Sequence, residues 1–325
     1  MPAEINPLPN GGAPQACPKV FVIVNACSGN AVLEDVQRGL AEHFGAFELQ
    51  FHEMKEGDDL PSIVREAVAS GSDQVMAGGG DGTISAVASL LVGSDVQLAI
   101  LPLGTANVLA RELKIPTDLM EACRLAASRL VERDHEAKTS RLLAIDAMKV
   151  GDRHYLTQVG VGIDALMIQN TSTEAKRRFG KLAYMASATK HILAFKPHRF
   201  TLTLDGVEQK LRLSEIVVAN TGMMGQPGFR WGPDIRPDDG RLNVCLISSA
   251  RLRDFARLLW VVFRGHREKT PQMRHEQVER SLTIASRHPL PVQADGEIVG
   301  ETPITIEIVR QALRIIVPIP ATQAG

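Results

Sequence analysis

The first third of the chain alternates two hydrophobic patterns. "KVFVIVN" (19–25) is a continuous apolar run suited to a strand buried on both faces, and "NAVLEDVQRGLAEHF" (30–44) repeats its apolar residues at helical spacing. The pair recurs three times: "AFELQFHEM" then "DDLPSIVREAVAS", "DQVMA" then "TISAVASLLV", and "VQLAILP" then "TANVLARELK". Asp58 or Asp59 stands where the second helix needs an N-cap, and Ile115-Pro116 stops the fourth. Strand-helix alternation of this kind predicts an α/β half with a parallel sheet covered by helices.

After about residue 139 the pattern changes. "SRLLAIDAMKVGDRHYLTQVGVG" (140–162) reads as two strands joined at Gly151-Asp152, and "KLAYMASATKHILAF" (181–195) as a helix. "RFTLTLDGVEQKLRL" (199–213) alternates with period 2 around Asp205-Gly206, the signature of a hairpin. "EIVVAN", "GRLNVCLIS", "SLTIAS", "PVQA", "ITIEIV" and "ALRIIVP" read as further strands, so the second half is expected to be mainly antiparallel β.

The chain has 325 residues, 44% of them hydrophobic, enough for two cores. Its 36 basic and 37 acidic residues leave a net charge of -1, which argues against nucleic-acid binding by bulk electrostatics, and 4% aromatic content disfavours base stacking. Cys17, Cys27, Cys123 and Cys245 form no CxxC pair, so neither a disulfide framework nor a zinc site is expected and a reducing cytosol fits. The nine histidines show no metal-ligand spacing. Residues 1–18 have no basic and apolar signal regions and read as an unstructured lead-in. No apolar run approaches the ~20 residues a bilayer span requires.

Three strand ends carry small polar residues: Asn25 with Ser28-Gly29, then Gly78-Gly79-Gly80-Asp81-Gly82-Thr83, then Gly104-Thr105 with Asn107. Open α/β sheets bind ligands at the carboxyl ends of their strands. Glycine lets backbone N–H groups approach a phosphate, and the helix start adds a positive dipole end. One such loop is an ordinary strand-to-helix turn; three in one half-domain point to phosphate binding. The second loop is not a P-loop, which needs Gly-Lys-Ser/Thr, nor a dinucleotide fingerprint, since Thr83 stands three residues after Gly80. Asp81 is the unusual member. An acid beside phosphates implies shared Mg²⁺, proton work in the transition state, or a cap on the helix that follows.

Three Asp-Gly turns occupy the second half. Asp205-Gly206 is assigned to hairpin chemistry alone. Asp239 has Asp238 beside it and Asp234 five residues before, in a glycine- and proline-rich loop that suits a hard cation. Asp295-Gly296-Glu297 reads, on composition, as a turn.

These motifs together resemble the diacylglycerol kinase catalytic-domain family, which includes bacterial lipid kinases and sphingosine kinases. The resemblance rests on "NACSG", "GGGDGT" and "PLGTAN", and runs on through "VGVGIDA" (159–165), "FGKLAYMASA" (179–188), "NTGMMGQPGFRWGPDIRPDDGRLNV" (220–244) and "PVQADGE" (291–297). It implies an N-terminal α/β nucleotide-binding domain over 19–138, a β-sandwich lipid-substrate domain over 139–325, and an active site in the cleft between them. It implies ATP as phosphoryl donor, Mg²⁺, and a lipid alcohol as acceptor, met by a cytoplasmic protein at the inner membrane surface. Asn25, Ser28, Gly29, Gly78 to Thr83, Gly104, Thr105 and Asn107 would then contact nucleotide. Asp239 would hold a structural Mg²⁺, with the Arg236 and Arg241 carbonyls as backbone ligands. Asp295 and Glu297 become the candidates for general base, with Asp81 a third catalytic acid.

Three positions depart from the family pattern: Ala26-Cys27 for a proline after the first Asn, Val108 for an aspartate after Asn107, and "HEMKEGD" where a nucleotide-touching threonine is common. Two other readings remain. One is a kinase of a soluble nucleotide, like NAD kinases, which "PLGTAN" and the β-rich second half with "PDIRPDDG" disfavour; the other is a non-catalytic lipid- or nucleotide-binding regulator, which Asp81, Asp239 and Asp295-Gly296-Glu297 weigh against and Val108 slightly favours. "RLRDFARLLWVVFRGHREK" (251–269) is a basic apolar helix that either packs on the β domain or lies on a membrane, with packing the favoured reading. "KRRFGK" (176–181) reads as a solvated charge run. Met223, Met224, Phe229 and Trp231 suit either an acyl pocket or a core. Oligomeric state, a homodimer included, is left open.

Overall fold

The structure, a computed structural model, describes residues 17–25, 30–131, 139–170, 197–224, 229–232, 234–248 and 272–320. Ser28, Gly29, Cys27, the helix expected at 181–195 and the two basic stretches lie outside the described residues.

Strands β1 (Lys19–Val24), β2 (Glu48–Glu53), β3 (Gln74–Gly79) and β4 (Gln97–Pro102) pair in parallel in the order β2-β1-β3-β4. Helices α1 (Asn30–His43), α2 (Leu60–Ala69) and α3 (Asp81–Leu91) make the crossovers that parallel pairing requires. The uninterrupted apolar runs are explained by burial: every residue from Val20 to Val24 is 4% exposed or less. From β1 the chain steps outward to β2, then returns to place β3 on the other side of β1. That reversal opens a crevice at the carboxyl ends of β1 and β3, where two of the glycine loops sit. Helices α4 (Val108–Glu112) and α5 (Leu119–Val131) complete this half.

The second half is a β-sandwich. Strands β7 (Gln158–Gly162), β10 (Glu215–Ala219), β11 (Leu242–Ile247), β12 (Met273–Val278), β14 (Pro291–Ala294) and β15 (Glu297–Glu301) form an antiparallel sheet in the order β12-β11-β10-β7-β14-β15. Helix α6 (Ile163–Asn170) follows β7 directly. The facing layer contains β5 (Ser140–Val150), β6 (Arg153–Tyr155), β8 (His198–Leu204), β9 (Val207–Leu213), β13 (Ser281–Ser286) and β16 (Ile304–Pro318). Val159, Val161, Ile216, Val218 and Val244 of one layer pack with Phe200, Leu202, Leu282 and Ile284 of the other in one buried cluster.

The two halves share strands. β16 pairs with β13 at its start and reaches β4 through Ile315 and Leu98, so the sheet of the first half continues into the sandwich. "ITIEIV" and "ALRIIVP" are thus one strand, not two. It kinks where its pairing with β5 slips between Val309 and Leu313, and Gln311 there takes φ 49°. "SRLLAIDAMKVGDRHYLTQVGVG" forms three strands instead of two, because the Gly151-Asp152 turn returns β5 only as the short β6 before the chain crosses to β7 in the other sheet. β12 and β15 were not foreseen: their outward faces are polar or exposed, so "MRHEQV" and "EIVGE" lack strand alternation.

Of two capping expectations, one holds in position and the other fails. Asp59 sits at the N-cap of α2 but makes no capping bond; its carboxylate takes the Ser62 hydroxyl. Asp81 does not cap α3. Asp205 does more than turn its hairpin. Its carboxylate accepts the N–H groups of Glu279, Arg280 and Ser281 at 2.8, 2.8 and 3.0 Å, tying β8–β9 to the turn between β12 and β13. Among the described residues no helix is long and apolar enough to cross a membrane.

Candidate active site

The glycine loops are built to touch each other. A Cβ on Gly104 would lie 2.7 Å from Gly80 Cα and 2.9 Å from Asn107 Oδ1, so only glycine lets the loops after β3 and β4 close to this distance. The Leu103 N–H donates to Gly79 O at 2.9 Å, and the Asn25 N–H to Gly78 O at 2.8 Å. Asn25 Nδ2 donates to Thr83 Oγ1 at 3.1 Å, which ties the end of β1 to the start of α3. The first backbone bond of α3 runs from Ile84 N to Gly80 O, so the N–H groups of Asp81, Gly82 and Thr83 have no partner inside the helix. Such a helix start favours an anion.

Asp81 is held by the neighbouring loop. Its carboxylate accepts the Asn107 N–H at 3.0 Å and the Val108 N–H at the start of α4. Asn107 adopts a left-handed conformation, φ 48°, which is why α4 starts at Val108 and not at Thr105. The Asn107 carboxamide accepts from Gly104 N and donates to Gly104 O, at 3.0 and 2.8 Å, so this buried side chain shapes its own loop. Thr105 stays exposed.

Opposite this loop pair stands the turn between β14 and β15. Asp295 and Gly296 take φ 46° and 91°, the two left-handed positions of a tight hairpin. Asp295 Oδ2 accepts Leu156 N–H at 2.9 Å, and Oδ1 accepts Thr157 N–H and Gln158 N–H, each at 3.0 Å, together with the Thr157 hydroxyl. Glu297, two residues on, is exposed.

A cavity of about 270 Å³ brings these parts together: Asp81, Ser85, Ala106 and Val108 line it from the first half, and Thr157, Gln158, Met223 and Asp295 from the second. An adjoining cavity of about 300 Å³ shares Ser85 and Asp295 and adds Gly82, Ser89, Arg153, Tyr155 and Glu297. Burial pushes the Tyr155 phenol up; Arg153 opposes the rise, while Glu297 and Asp295 add to it, so the hydroxyl stays protonated at neutral pH. A larger groove of about 560 Å³ lies on β8, β9 and β13 among Arg199, Lys210, Arg212 and Arg287. None of the expected site residues lines it, so convergence of chemistry and not size locates the site.

Asp239 lines neither cavity. Burial and the charges of Asp146 and Asp238 push its carboxyl up, while an N–H from Arg241 at 3.0 Å and the Arg236 charge act the other way. The Arg236 guanidinium is turned onto Asp238, with two bonds of 3.0 Å. Among the described residues no three His, Cys, Asp or Glu side chains converge on a metal position.

Sequence reasoning missed the residues that join these pieces. Asp146, 1% exposed on β5, accepts Gly240 N–H at 2.7 Å and Gln311 N–H at 2.8 Å, fixing the Asp239 loop against the kink of β16. Asn220 Nδ2 donates to the carbonyls of Asp146 and Leu156 at 2.8 and 2.9 Å, and so connects that loop to the segment Asp295 grips. Arg230 forms a bidentate ion pair with the buried Glu112 of α4, at 2.9 and 3.1 Å, spanning the two halves. A signal existed for Asp146, a lone acid inside an apolar strand. Of the four apolar loop residues, Trp231 is core, packed with Ile235 and Cys245, with Met224 and Phe229 against it; only Met223 lines the cleft.

An α/β half with paired glycine loops thus faces a sandwich turn that carries two acids. The Diacylglycerol kinase catalytic domain model matches residues 19–138, and the YegS C-terminal NAD kinase beta sandwich-like domain model matches residues 157–317. The chain belongs to the diacylglycerol kinase family, a family of lipid kinases. A diacylglycerol kinase of Mycobacterium tuberculosis is 28% identical over 306 residues, covering 92% of this chain and 95% of that protein. An uncharacterized Synechocystis protein is 25% identical over 252 residues, 77% of this chain, and the chain spans 56% of its length. The crystal structure of a diacylglycerol kinase from Bacillus anthracis shares the fold, with a TM-score of 0.70 at 22% identity over 95% of this chain and 99% of that one.

Proposed function

We propose that the protein transfers the γ-phosphoryl group of ATP to the hydroxyl of a lipid alcohol such as diacylglycerol, in the cleft between the glycine loops and the Asp295 turn. The observation that carries this reading is a cavity lined by Asp81 from one half and Asp295 from the other. Membership of a kinase family supports ATP as the co-substrate. The free N–H groups at the start of α3, with the loop at Gly104 and Thr105 beside them, are placed to bind its phosphates. Glu297 takes the proton of the acceptor hydroxyl, and Asp295 holds the turn that presents it. Tyr155, protonated beside Glu297, is a donor for the acceptor oxygen.

Mg²⁺ fits the loop around Asp239: a carboxyl crowded by Asp146 and Asp238 is the environment a hard cation relieves, and main-chain carbonyls at Arg236 and Arg241 are oxygen donors of the right class. Bound there, it would supply positive charge and fix the loop. Because the folded state raises this acid, its ionisation costs stability as pH rises above the ordinary carboxylate range. Asp239→Asn is therefore expected to melt higher than wild type in EDTA and to lose any stabilisation by Mg²⁺. Thermal melts with and without the metal check this; an unchanged Mg²⁺ response rejects the site.

Labelled ATP with diacylglycerol, sphingoid base, phosphatidylglycerol and NAD tests the function. Label in a lipid phosphate supports it, label in NADP alone gives the nucleotide-kinase reading, and binding without transfer gives the regulator. Gly104→Ala drives a methyl into Gly80 Cα, so the KM for ATP is expected to rise by about tenfold or more, with the lipid KM little changed. Steady-state kinetics with each substrate varied in turn decides it.

A further inference from the structure

The segment Val159 to Asp164 ends at a pair of acids with no part in the reaction proposed above. Asp164 lies in the first turn of α6, and Glu215 opens β10 and is 5% exposed. Glu215 Oε2 accepts the Asp164 N–H at 3.0 Å, which sets the two buried acids side by side. Asp164 Oδ1 accepts the Ala165 N–H, and Oδ2 accepts Gln293 Nε2 at 2.8 Å. Gln293 is fully buried on β14, and its Oε1 accepts the Gly296 N–H at 3.1 Å. Gly296 is the residue between Asp295 and Glu297.

Two glycines make room for this chain. A Cβ on Gly160 would lie 2.0 Å from Asp164 Oδ2 and 2.7 Å from Gln293 Nε2. A Cβ on Gly162 would lie 2.5 Å from Ser214 O and 2.9 Å from Glu215 Oε2, at a φ of +140°. "VGVGID" is thus the sequence of a built pocket for the acids. Glu215 Oε1 is buried without a partner among the described residues.

Two carboxyl groups in contact and out of water cannot both ionise. Burial raises Asp164 above its ordinary range, and burial with the Asp164 charge raises Glu215 further. The strongest influences on the pair, after burial, are each other, Gln293 and the main chain of Ile163 to Ala165. We infer that Asp164 and Glu215 hold one proton between them and, through Gln293, fix the turn that carries Asp295 and Glu297, so that all three are positioning residues. Loss of that proton sets two charges against each other, draws Asp164 away from Gln293 and frees the turn. The kinetic consequence rests on Glu297 as base; the structural link does not.

Glu215→Gln supplies a permanent amide donor in place of the shared proton. An acid raised by folding takes up a proton on folding, so wild-type stability should fall as pH climbs above the ordinary carboxylate range and through the titration of the pair. Glu215→Gln should show a shallower fall in melts across the same range; parallel profiles overturn the shared proton. Gln293→Leu should speed hydrogen exchange over residues 291–301, and unchanged exchange overturns the link to the turn. In kinetics, Gln293→Leu should lower kcat about tenfold with the KM for ATP unchanged. Glu215→Gln should hold its kcat to higher pH than wild type, and a wild-type alkaline limb counts against the inference. If the wild-type protein transfers no phosphoryl group, the proposed function fails, while the melts and the exchange still decide the inference.

Discussion

Glu297→Gln is expected to lower kcat for phosphoryl transfer by about 10³-fold while leaving the melting temperature at the wild-type value. The two acids of the turn differ in what their oxygens already do. Asp295 accepts three backbone N–H groups and a hydroxyl, which leaves little room for a substrate proton. Glu297 is exposed and lines the cleft. A second turn in the same molecule shows what the Asp295 arrangement is for. Asp205 and Gly206 take φ 47° and 92°, almost the values of Asp295 and Gly296, and Asp205 likewise grips three consecutive backbone N–H groups of a neighbouring turn. Burial raises the Asp205 carboxyl, but those N–H bonds, aided by Arg280, outweigh it and hold the group below the usual range. Asp205 lines neither cavity of the cleft, so the device is structural there. Asp295→Ala should consequently lower stability by about 3 kcal/mol as well as activity, since bonds to a charged acceptor are each worth about 1.5–3 kcal/mol. Asp205→Ala is the control, lowering stability with kcat preserved. Thermal melts beside kcat for the three variants separate the roles. A fully active Glu297→Gln enzyme with an inactive but normally stable Asp295→Ala would reverse them.

The local parts of this molecule were readable and the joints were not. The glycine loops, the parallel strands and the Asp205 hairpin declare themselves because each is set by residues within a few positions. Asp146 looks like a misplaced acid until Gly240 and Gln311, 94 and 165 residues away, supply its donors. β16 reads as two strands because its kink at Gln311 interrupts the alternation, yet the kink is what aims that N–H at Asp146. Asp81 was legible as an anomaly, an acid where phosphates belong. Its partners lie 26 and 27 residues on, in a loop whose left-handed Asn107 no periodicity forecasts. In each case the missing information was a side chain paired with distant main chain.

That pairing makes Asp81→Ala the other variant with a large expected effect. The carboxylate clamps the loop at Gly104–Asn107 to the start of α3 by two charge-assisted bonds, to Asn107 N–H and Val108 N–H. Removing it leaves two donors in the loop without an acceptor, and the Gly80–Gly104 contact loses the clamp that holds it closed. Both glycine loops then shift, and displacement of a reacting group by about 1 Å costs on the order of 10²-fold in rate. The kcat/KM for ATP should drop by at least about 10²-fold, with a melting temperature a few degrees lower. Asp81→Asn sharpens the test. An amide of the same shape keeps one acceptor, for Val108 or for Asn107 but not both. If the clamp is the main role of Asp81, the Asn variant recovers much of the stability and part of the ATP affinity. If the negative charge acts in the reaction itself, Asp81→Asn is as inactive as Asp81→Ala while melting near wild type. Kinetics and melts on the two variants divide these roles, and wild-type rates in both would remove Asp81 from the site.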